Sequence, residues 1–359
     1  MTKLSVGIPK EIKKNEGRVA ITPDGVHELV GHGIDVFVEK SAGVGASIFD
    51  DAYIEAGAKM CDADTAWAQN LVVKVKEPQE SEFKYFRSDL VLFTYLHLAA
   101  YPKVAQALCD KSVAAFGYET VTVDGALPLL APMSEIAGRL AVQVACRFLE
   151  SPQGGRGILL SGAPGVPPAK VVVLGGGNVG INAALLASAL GANVEIFDIN
   201  LDRLRQIDLM FHGQIRTRAS SRGSISGAIK NADAVIGAVL VPGGRAPVVV
   251  DEEMVKTMMP GSIIVDTAID QGGCIATSHE TSHTEPTYVM HDVVHYAVGN
   301  MPGAVSHTST YSLTNATLPY VVAIALNGVD GAIAVKEGLS EGLNTRDGFV
   351  VNEIVKATL

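Results

Sequence analysis

The chain is poor in cysteine, in aromatic residues and in positive charge, and each shortage narrows what it can be. Four cysteines in 359 residues, at 61, 109, 146 and 274, form no C-x-x-C pair and no dense framework. A disulfide scaffold is excluded and a reducing, cytoplasmic setting is expected. With 28 Lys and Arg against 38 Asp and Glu, a net charge of −10 and no Lys/Arg-rich block, the chain lacks the clustered cations that nucleic-acid phosphates demand. No nucleic-acid partner is expected. Charged residues make up only 18% and apolar ones 48%, the reverse of a disordered chain. At roughly 150 residues per domain the length corresponds to about two domains. The opening MTKLSVGIPKEIKKNEGR carries charges where a secretory signal needs an apolar core, so it reads as a mature start.

No membrane segment is expected either. Residues 171–194 run 24 positions without a charge, but five glycines and three asparagines break the run. It divides into a β-branched strand, a Gly-rich turn and an Ala/Leu helix.

The first 130 residues alternate short apolar strands with amphipathic helices. LSVGI, IDVFVE, LVVKV, VLFTY and VAAFG read as strands. A helix opened by Thr22 as N-cap and Pro23 at its first position, closing near Gly31 or Gly33, and a second over PKVAQALCDK lie between them. Strands alternating with helices imply a parallel sheet covered on both faces. A long helix is predicted over Ser134–Glu150 with Ser134 as its cap, then a Gly/Pro-rich loop or hairpin over 151–169. A second series follows in VVVLG, VEIFD, ADAVIG and SIIVD. Residues 306–326 read as another long helix, with Pro319 its doubtful point. The expected architecture is α/β: two Rossmann-like domains with parallel sheets. The substrate domain is discontinuous, 1–129 plus 306–359, and a nucleotide-binding Rossmann domain spans 130–305, with a cleft between them.

VVVLGGGNVGINAALLASALGANVEIFD places Gly175-x-Gly177-x-x-Gly180 directly after a strand and at the start of a helix. Gly175 permits the tight turn, Gly177 lets backbone approach a pyrophosphate, and Gly180 lets helix pack on strand. The helix N-terminus adds N–H groups and a positive dipole end. Asp198 ends the second strand, 18 residues beyond Gly180, where its carboxylate accepts ribose hydroxyls. That carboxylate would repel a 2′-phosphate, so NAD is preferred over NADP. Arg203 and Arg205 nearby are the groups that an added phosphate would meet.

In open α/β sheets ligands sit beyond the carboxyl ends of strands, so polar residues just after strands are the candidates for chemistry. Arg18 follows the first strand, Lys76 ends LVVKVK, His97 follows VLFTYL and Asp270 follows SIIVDTAI. Lys74 and Lys76 share a face of their strand by alternation.

These residues sit in segments that resemble the alanine dehydrogenase family, related to the soluble domain of proton-translocating transhydrogenases. The matching segments are GIPKE, NEGRVAITP, KVKEP, HLAA, YET, DGALPLLAPMSE, AGR, GGRG, GVP, DIN, IGAVLVPG, DTAIDQGGC and TNATLPY, in order and over almost the full length. The resemblance implies that Arg18 grips a substrate carboxylate, Lys76 binds a keto oxygen, and His97 and Asp270 handle protons. Asp270 alternatively holds the cofactor ribose, and the residues alone do not separate the two roles. For the cofactor it implies Ser134, Asn178, Val179, Asp198, Arg203, Ser220, Val239, Leu240, Thr267, Ala268, Ile269, Asp270, Val298, Gly299, Asn300 and Met301, beside the three glycines. Relatives that carry a divalent metal pair a Glu with a His. Here Glu119 is present but Asn327 stands at the second position, so no metal is expected. The implied reaction is reversible NAD-dependent oxidation of L-alanine to pyruvate and ammonium, a step of L-alanine catabolism, in a homo-hexamer. His97 is the expected acid/base, because an imidazole ordinarily titrates near neutrality.

HETSH, residues 279–283, matches a zinc-protease motif letter for letter, but its Ser/Thr-rich surroundings and Pro286 do not make the helix that the motif needs. His291 and His295 repeat the spacing and are read as loop or locally bonded residues. Ser134 lacks the setting of a nucleophile. Rival readings are a transhydrogenase domain, a saccharopine-type dehydrogenase, or a nucleotide sensor without turnover.

Overall fold

The computed structural model describes residues 3–239 and 245–357. The chain forms two compact units, Met1–Met133 with Val305–Leu359, and Ser134–Ala304.

In the first unit six strands run parallel: β1 (Val6–Ile8), β2 (Val36–Glu39), β3 (Lys59–Cys61), β4 (Leu71–Val73), β5 (Val91–Thr94) and β6 (Ala114–Gly117). Their spatial order is β6-β5-β4-β1-β2-β3. β1 therefore has β2 on one side and β4 on the other, so connections leave it in opposite directions and open a crevice at its carboxyl end. The Pro23–Gly31 helix starts as the sequence predicts: the Thr22 side chain accepts the Gly25 amide and Pro23 occupies the first turn. Between β2 and β4 the helices Asp50–Glu55 and Ala63–Trp67 and the edge strand β3, whose KMC is only partly covered, were not legible in the pattern.

The second unit holds β7 (Lys170–Leu174), β8 (Asn193–Asp198), β9 (Arg216–Ala219), β10 (Ala234–Gly237), β11 (Ile263–Asp266), β12 (Thr287–Met290) and β13 (Val293–Tyr296), in the order β12-β13-β11-β10-β7-β8-β9. Only the β12–β13 pair is antiparallel among them. Both faces of this sheet are buried. Val171 and Val173 join a cluster with Val142, Ala183 and Ala187, while Val172 and Leu174 join another with Ile225, Met254 and Ile264. Residues 171–194 are thus strand, turn and the helix Asn178–Ala189. β9 and β12 escaped the sequence reading because they are edge strands with polar or exposed positions. β13 escaped it because His295 interrupts its apolar pattern. That imidazole is buried, with Nε2 2.8 Å from Thr277 Oγ1 and Nδ1 3.0 Å from the Val293 carbonyl oxygen.

Two helix boundaries need correction. The long helix runs Ala131–Phe148, so Ser134 lies in its first turn and is not its cap. The Leu127 carbonyl already accepts the Leu130 and Ala131 amides. Pro132, which lacks an amide, then fits the first turn, where no partner is required. The later helix runs Ser306–Val335, straight through Pro319, and its break falls at Gly328, at φ 68° and ψ −174°. Pro319 and Asn315, whose carbonyl would have taken the missing amide, are both exposed, so water meets the loss. By length and composition alone the stretch Met301–Val335 is apolar enough to cross a membrane. It packs on the Pro23–Gly31 helix, Thr310 and Thr314 hydroxyls bond the backbone at Val19 and Ala20, and Ala325 accepts the Leu4 amide. Beyond it, β14 (Leu343–Arg346) pairs antiparallel with β6, and β15 (Phe349–Val350) with β14, which completes the first sheet at eight strands.

Candidate active site

The first unit gathers three of the four predicted chemical residues on loops that follow β1, β4 and β5. Arg18 is 2% exposed and held in a fork by Glu16: Nε to Oε1 at 2.7 Å and Nη2 to Oε2 at 2.5 Å. Its Nη1 donates to Met133 Sδ at 3.0 Å, a weak acceptor. Burial opposes ionisation of Glu16. The Arg18 guanidinium and the Lys76 ammonium outweigh it and hold the carboxyl at about 2, so Lys76 lies within electrostatic reach of this pair. Lys76 itself is half-buried.

His97 has φ +46°, in the left-handed region that is uncommon for a residue other than glycine. Glu119 holds it there. Its Oε1 accepts the His97 amide at 2.6 Å, and both its oxygens stand 3.2 Å from the Leu96 amide. The same Oε1 lies 4.0 Å from His97 Nδ1. On the other side the imidazole stacks on Tyr95, with centroids 5.6 Å apart and planes within 1°. Tyr95 donates to the Leu129 carbonyl at 2.6 Å; burial pushes its phenol up, and the Arg18 charge pulls against that. Arg18, Tyr95 and His97 therefore form one neighbourhood. Glu119 lacks the partner that a metal would share with it here: its carboxylate is engaged by the Leu96 and His97 amides, and Asn327, in place of a His, donates to the Ala323 carbonyl at 2.9 Å.

The second unit holds the nucleotide loop at its own switch point, since β7 lies between β8 and β10. Gly175 sits at φ +105°, and a Cβ on Gly180 would stand 1.8 Å from the Gly175 carbonyl oxygen. Among the described residues nothing lies within 4 Å of a Cβ added at Gly177, and no side chain caps the Asn178–Ala189 helix that it begins. This is the open cradle of backbone amides, with Asn178 and Val179 in the first turn, that a diphosphate fits. Asp198 Oδ2 accepts the Gly176 amide at 2.6 Å and Oδ1 the Asn200 amide at 2.8 Å, and each oxygen keeps capacity for a further donor. Arg203 Nε donates to the Gly176 carbonyl at 2.6 Å, which lays its side chain along the loop. Arg205 instead pairs with Asp202 at the surface. Ser220 donates its amide to the Asp198 carbonyl at 2.9 Å.

Asp270 belongs to this unit too. It is exposed, and its two oxygens stand 3.2 and 3.3 Å from the Asn300 amide, which ties the segment Thr267–Asp270 to Val298–Met301. Thr267 Oγ1 donates to the Gly237 carbonyl at 2.6 Å, Val239 follows β10 and is half-buried, and Leu240 lies outside the described residues. Ser134 is half-buried in its helix.

Several acids that support these residues gave no motif signal. Besides Glu16 and Glu119, the buried Asp266 accepts the amides of Ala268, Cys274 and Ile275 at 3.1, 3.0 and 3.3 Å and so shapes the loop that carries Asp270. Burial pushes the Asp266 carboxyl up against the pull of Ser278 and those amides. HETSH lies in a loop, not a helix. Its Glu280 stands beside Asp270 around Gly299, where an added Cβ would come within 2.4 and 2.8 Å of the two carboxylates.

Two family models match the chain: "Alanine dehydrogenase/PNT, N-terminal domain" over residues 7–137 and "Alanine dehydrogenase/PNT, C-terminal domain" over residues 141–353. An alanine dehydrogenase of Bacillus subtilis (strain 168) is 55% identical over 356 residues, covering 99% of this chain and 94% of its own. One of Methanococcus maripaludis is 51% identical over 357 residues, at 98% and 95% coverage. Among solved structures, an L-alanine dehydrogenase matches with a TM-score of 0.95 at 49% identity, covering 99% of this chain and 98% of that one. A transhydrogenase from Sinorhizobium meliloti matches with 0.84 at 26% identity, covering 97% and 99%.

Proposed function

The chain belongs to the alanine dehydrogenase/PNT family, and from that membership we infer that it oxidises L-alanine to pyruvate and ammonium with NAD and runs the reverse reductive amination. The observation that carries this activity is the 55% identity to an alanine dehydrogenase across 99% of the chain, against 26% for the transhydrogenase. Retention of Lys76, His97 and Asp270-Gln271-Gly272-Gly273 supports turnover over nucleotide sensing. NADH formed from L-alanine, followed by its near-ultraviolet absorbance, is the test. Tight NAD binding without NADH formation would return the sensor reading.

When bound, NAD accepts the hydride that leaves the alanine Cα. Its holders would be the amides around Gly175, Gly177 and Gly180 with Asn178 and Val179, the Asp198 carboxylate on the ribose, and Ser134, Arg203, Ser220, Val239, Thr267, Ala268, Ile269, Gly299 and Met301 along its length. Leu240 would join them.

The chain's own residues supply orientation and proton movement. Arg18, held by Glu16, presents its guanidinium to the substrate carboxylate, which displaces the weak Met133 sulfur contact. Lys76 polarises the oxygen of the keto acid. In the oxidative direction the substrate amine must be neutral so that its lone pair forms the imine. Water then adds, loses a proton, and ammonia departs with one. His97 takes and returns these protons, and its stacking on Tyr95 and its strained backbone fix where the ring can reach. The bond between Asp270 and the Asn300 amide supports the cofactor side of that residue's two candidate roles. Four free thiols support a reducing, cytoplasmic setting. The hexamer implied by the family is the proposed assembly, and L-alanine catabolism the proposed setting.

Cofactor choice gives a direct test. Each hydrogen bond to a charged group is worth about 1.5 to 3 kcal/mol. With water replacing part of the contact, Asp198→Ala raises the KM for NAD by about ten- to a hundredfold. NADP use improves in the same variant through Arg203, which lies along the loop, with Arg205, paired with Asp202 only at the surface, able to join it. kcat/KM for both cofactors checks it. An unmoved NAD/NADP ratio would take Asp198 off the ribose.

A further inference from the structure

Lys74 is the other lysine of the LVVKVK run, and its side chain is 0% exposed. Its ammonium lies 3.0 Å from Glu11 Oε2 and 3.1 Å from Glu82 Oε1, with the Trp67 ring 5.7 Å away. Glu82 spends its second oxygen on the Gln79 amide at 2.7 Å, closing a helix-start box. Glu11 spends its other oxygen differently. Oε1 accepts the Val75 amide at 2.6 Å and the Lys76 amide at 3.3 Å.

These bonds fall where the parallel ladder runs out, since β4 ends at Val73. Beyond it the carbonyls of residues 74–76 take the Tyr118 hydroxyl at 2.9 Å, the Tyr95 amide at 3.3 Å and the Thr94 hydroxyl at 2.9 Å. The amides of 75 and 76 take Glu11. A buried ionic cluster gives little net stability over apolar packing of the same volume. What Glu11 adds that an apolar residue could not is an acceptor for two backbone amides at the base of Lys76.

We propose that Glu11 is a positioning residue for the reaction: with Lys74 as its counter-ion, it extends β4 by two residues and fixes the backbone from which Lys76 reaches the substrate. The proposal rests on the reading of Lys76 as the substrate's oxygen ligand. A displacement of about 1 Å in such a group costs on the order of a hundredfold in rate.

The test compares two variants that both lack the ion pair, each in a Glu82→Gln background that keeps an oxygen for the Gln79 amide and leaves no carboxylate buried without its ammonium once Lys74 is replaced. Glu11→Gln/Lys74→Met keeps an amide oxygen for the two backbone N–H groups, and Glu11→Met/Lys74→Met keeps none. The first is expected within about threefold of wild type in kcat/KM for pyruvate, and the second about 10- to 100-fold lower, with the KM for NADH the same in both. Equal kcat/KM in the two folded variants would overturn the proposal and leave Glu11 a structural ion. Should the acceptor-less variant not fold, Glu11→Asp makes the same comparison, because it keeps the charge but falls one methylene short of the amides. A wild-type kcat/KM for pyruvate there would equally overturn it. Lys76→Ala, measured alongside, separates the two readings. An unchanged pyruvate KM and kcat in that variant would sink the role of Lys76, whereas a damaged Lys76→Ala beside equal double variants would sink the role of Glu11 alone.

Discussion

His97→Ala lowers kcat for both alanine oxidation and pyruvate amination by about 10²- to 10⁴-fold, the usual worth of a positioned acid/base. The imidazole's limb disappears from the pH profile, and the KM for NADH stays where it was. The size follows from how much of the surrounding structure is committed to this one ring. Glu119 holds the backbone of residues 96 and 97 in a conformation that costs energy, Tyr95 supplies a parallel face, and Tyr95 is itself fixed by Leu129. His97→Asn fits the left-handed backbone, since Asn tolerates that region, and so separates loss of the proton carrier from loss of the loop. It should fold like wild type and remain as slow as the alanine variant. An active His97→Ala enzyme with an unaltered pH profile would remove His97 from proton transfer.

Arg18→Met is expected to be nearly as damaging to activity and worse for stability. Two charge-assisted bonds to a substrate carboxylate, at about 1.5 to 3 kcal/mol each, correspond to roughly 10²- to 10⁴-fold in kcat/KM for pyruvate. Removing one partner of a buried ion pair also leaves Glu16 uncompensated, a cost of about 3 to 5 kcal/mol. The pH dependence has a definite sign. In the native protein Glu16 is held at about 2, below its ordinary 4.5, so its contribution to stability is complete above 4.5 and is lost as pH falls through 2. In the variant burial is no longer countered by Arg18, so protonating Glu16 relieves the protein. The gap in urea midpoint between variant and wild type should then narrow as pH falls from about 4.5 towards 2, where the wild type loses the Glu16 contribution and the variant has less of it to lose. Glu16→Gln/Arg18→Met should recover most of the stability and none of the activity. Recovery of both would show that Arg18 serves only to pair Glu16.

Sequence reasoning found the parts of this molecule whose requirements are local. A glycine that must adopt φ +105°, and another whose Cβ would strike a carbonyl at 1.8 Å, leave no alternative residue, so the nucleotide loop was legible. Arg18, Lys76 and His97 were reachable because strands are short apolar runs and chemistry follows their ends. Glu11, Glu16, Glu119 and Asp266 were not, because a lone acid carries no period. The partner that gives Glu11 meaning, Lys74, is distant in the chain. One trace was present: a lysine inside LVVKV, at a position that a parallel sheet buries, demands a counter-ion somewhere. The long helix starts three residues before Ser134 because the Leu127 carbonyl accepts the Leu130 and Ala131 amides, bonds that no residue pattern announces.

The antiparallel ladder that joins β14 to β6 sets an order of events in time. Leu343 pairs with Phe116, and the whole second unit lies between them in the chain. During synthesis every strand of the second sheet has emerged before β14 exists, so the insert can fold while the first sheet still lacks an edge. Closing a long loop costs entropy that grows only slowly with its length, and a folded insert shortens the effective loop further. The β6–β14 pairing should nevertheless be the last to form, because it has the longest separation in the chain of any pairing in the first sheet. Backbone amides of β6 should gain protection from hydrogen exchange later than those of β7, and substitutions in β14 should slow the appearance of activity more than they slow the recovery of NAD binding.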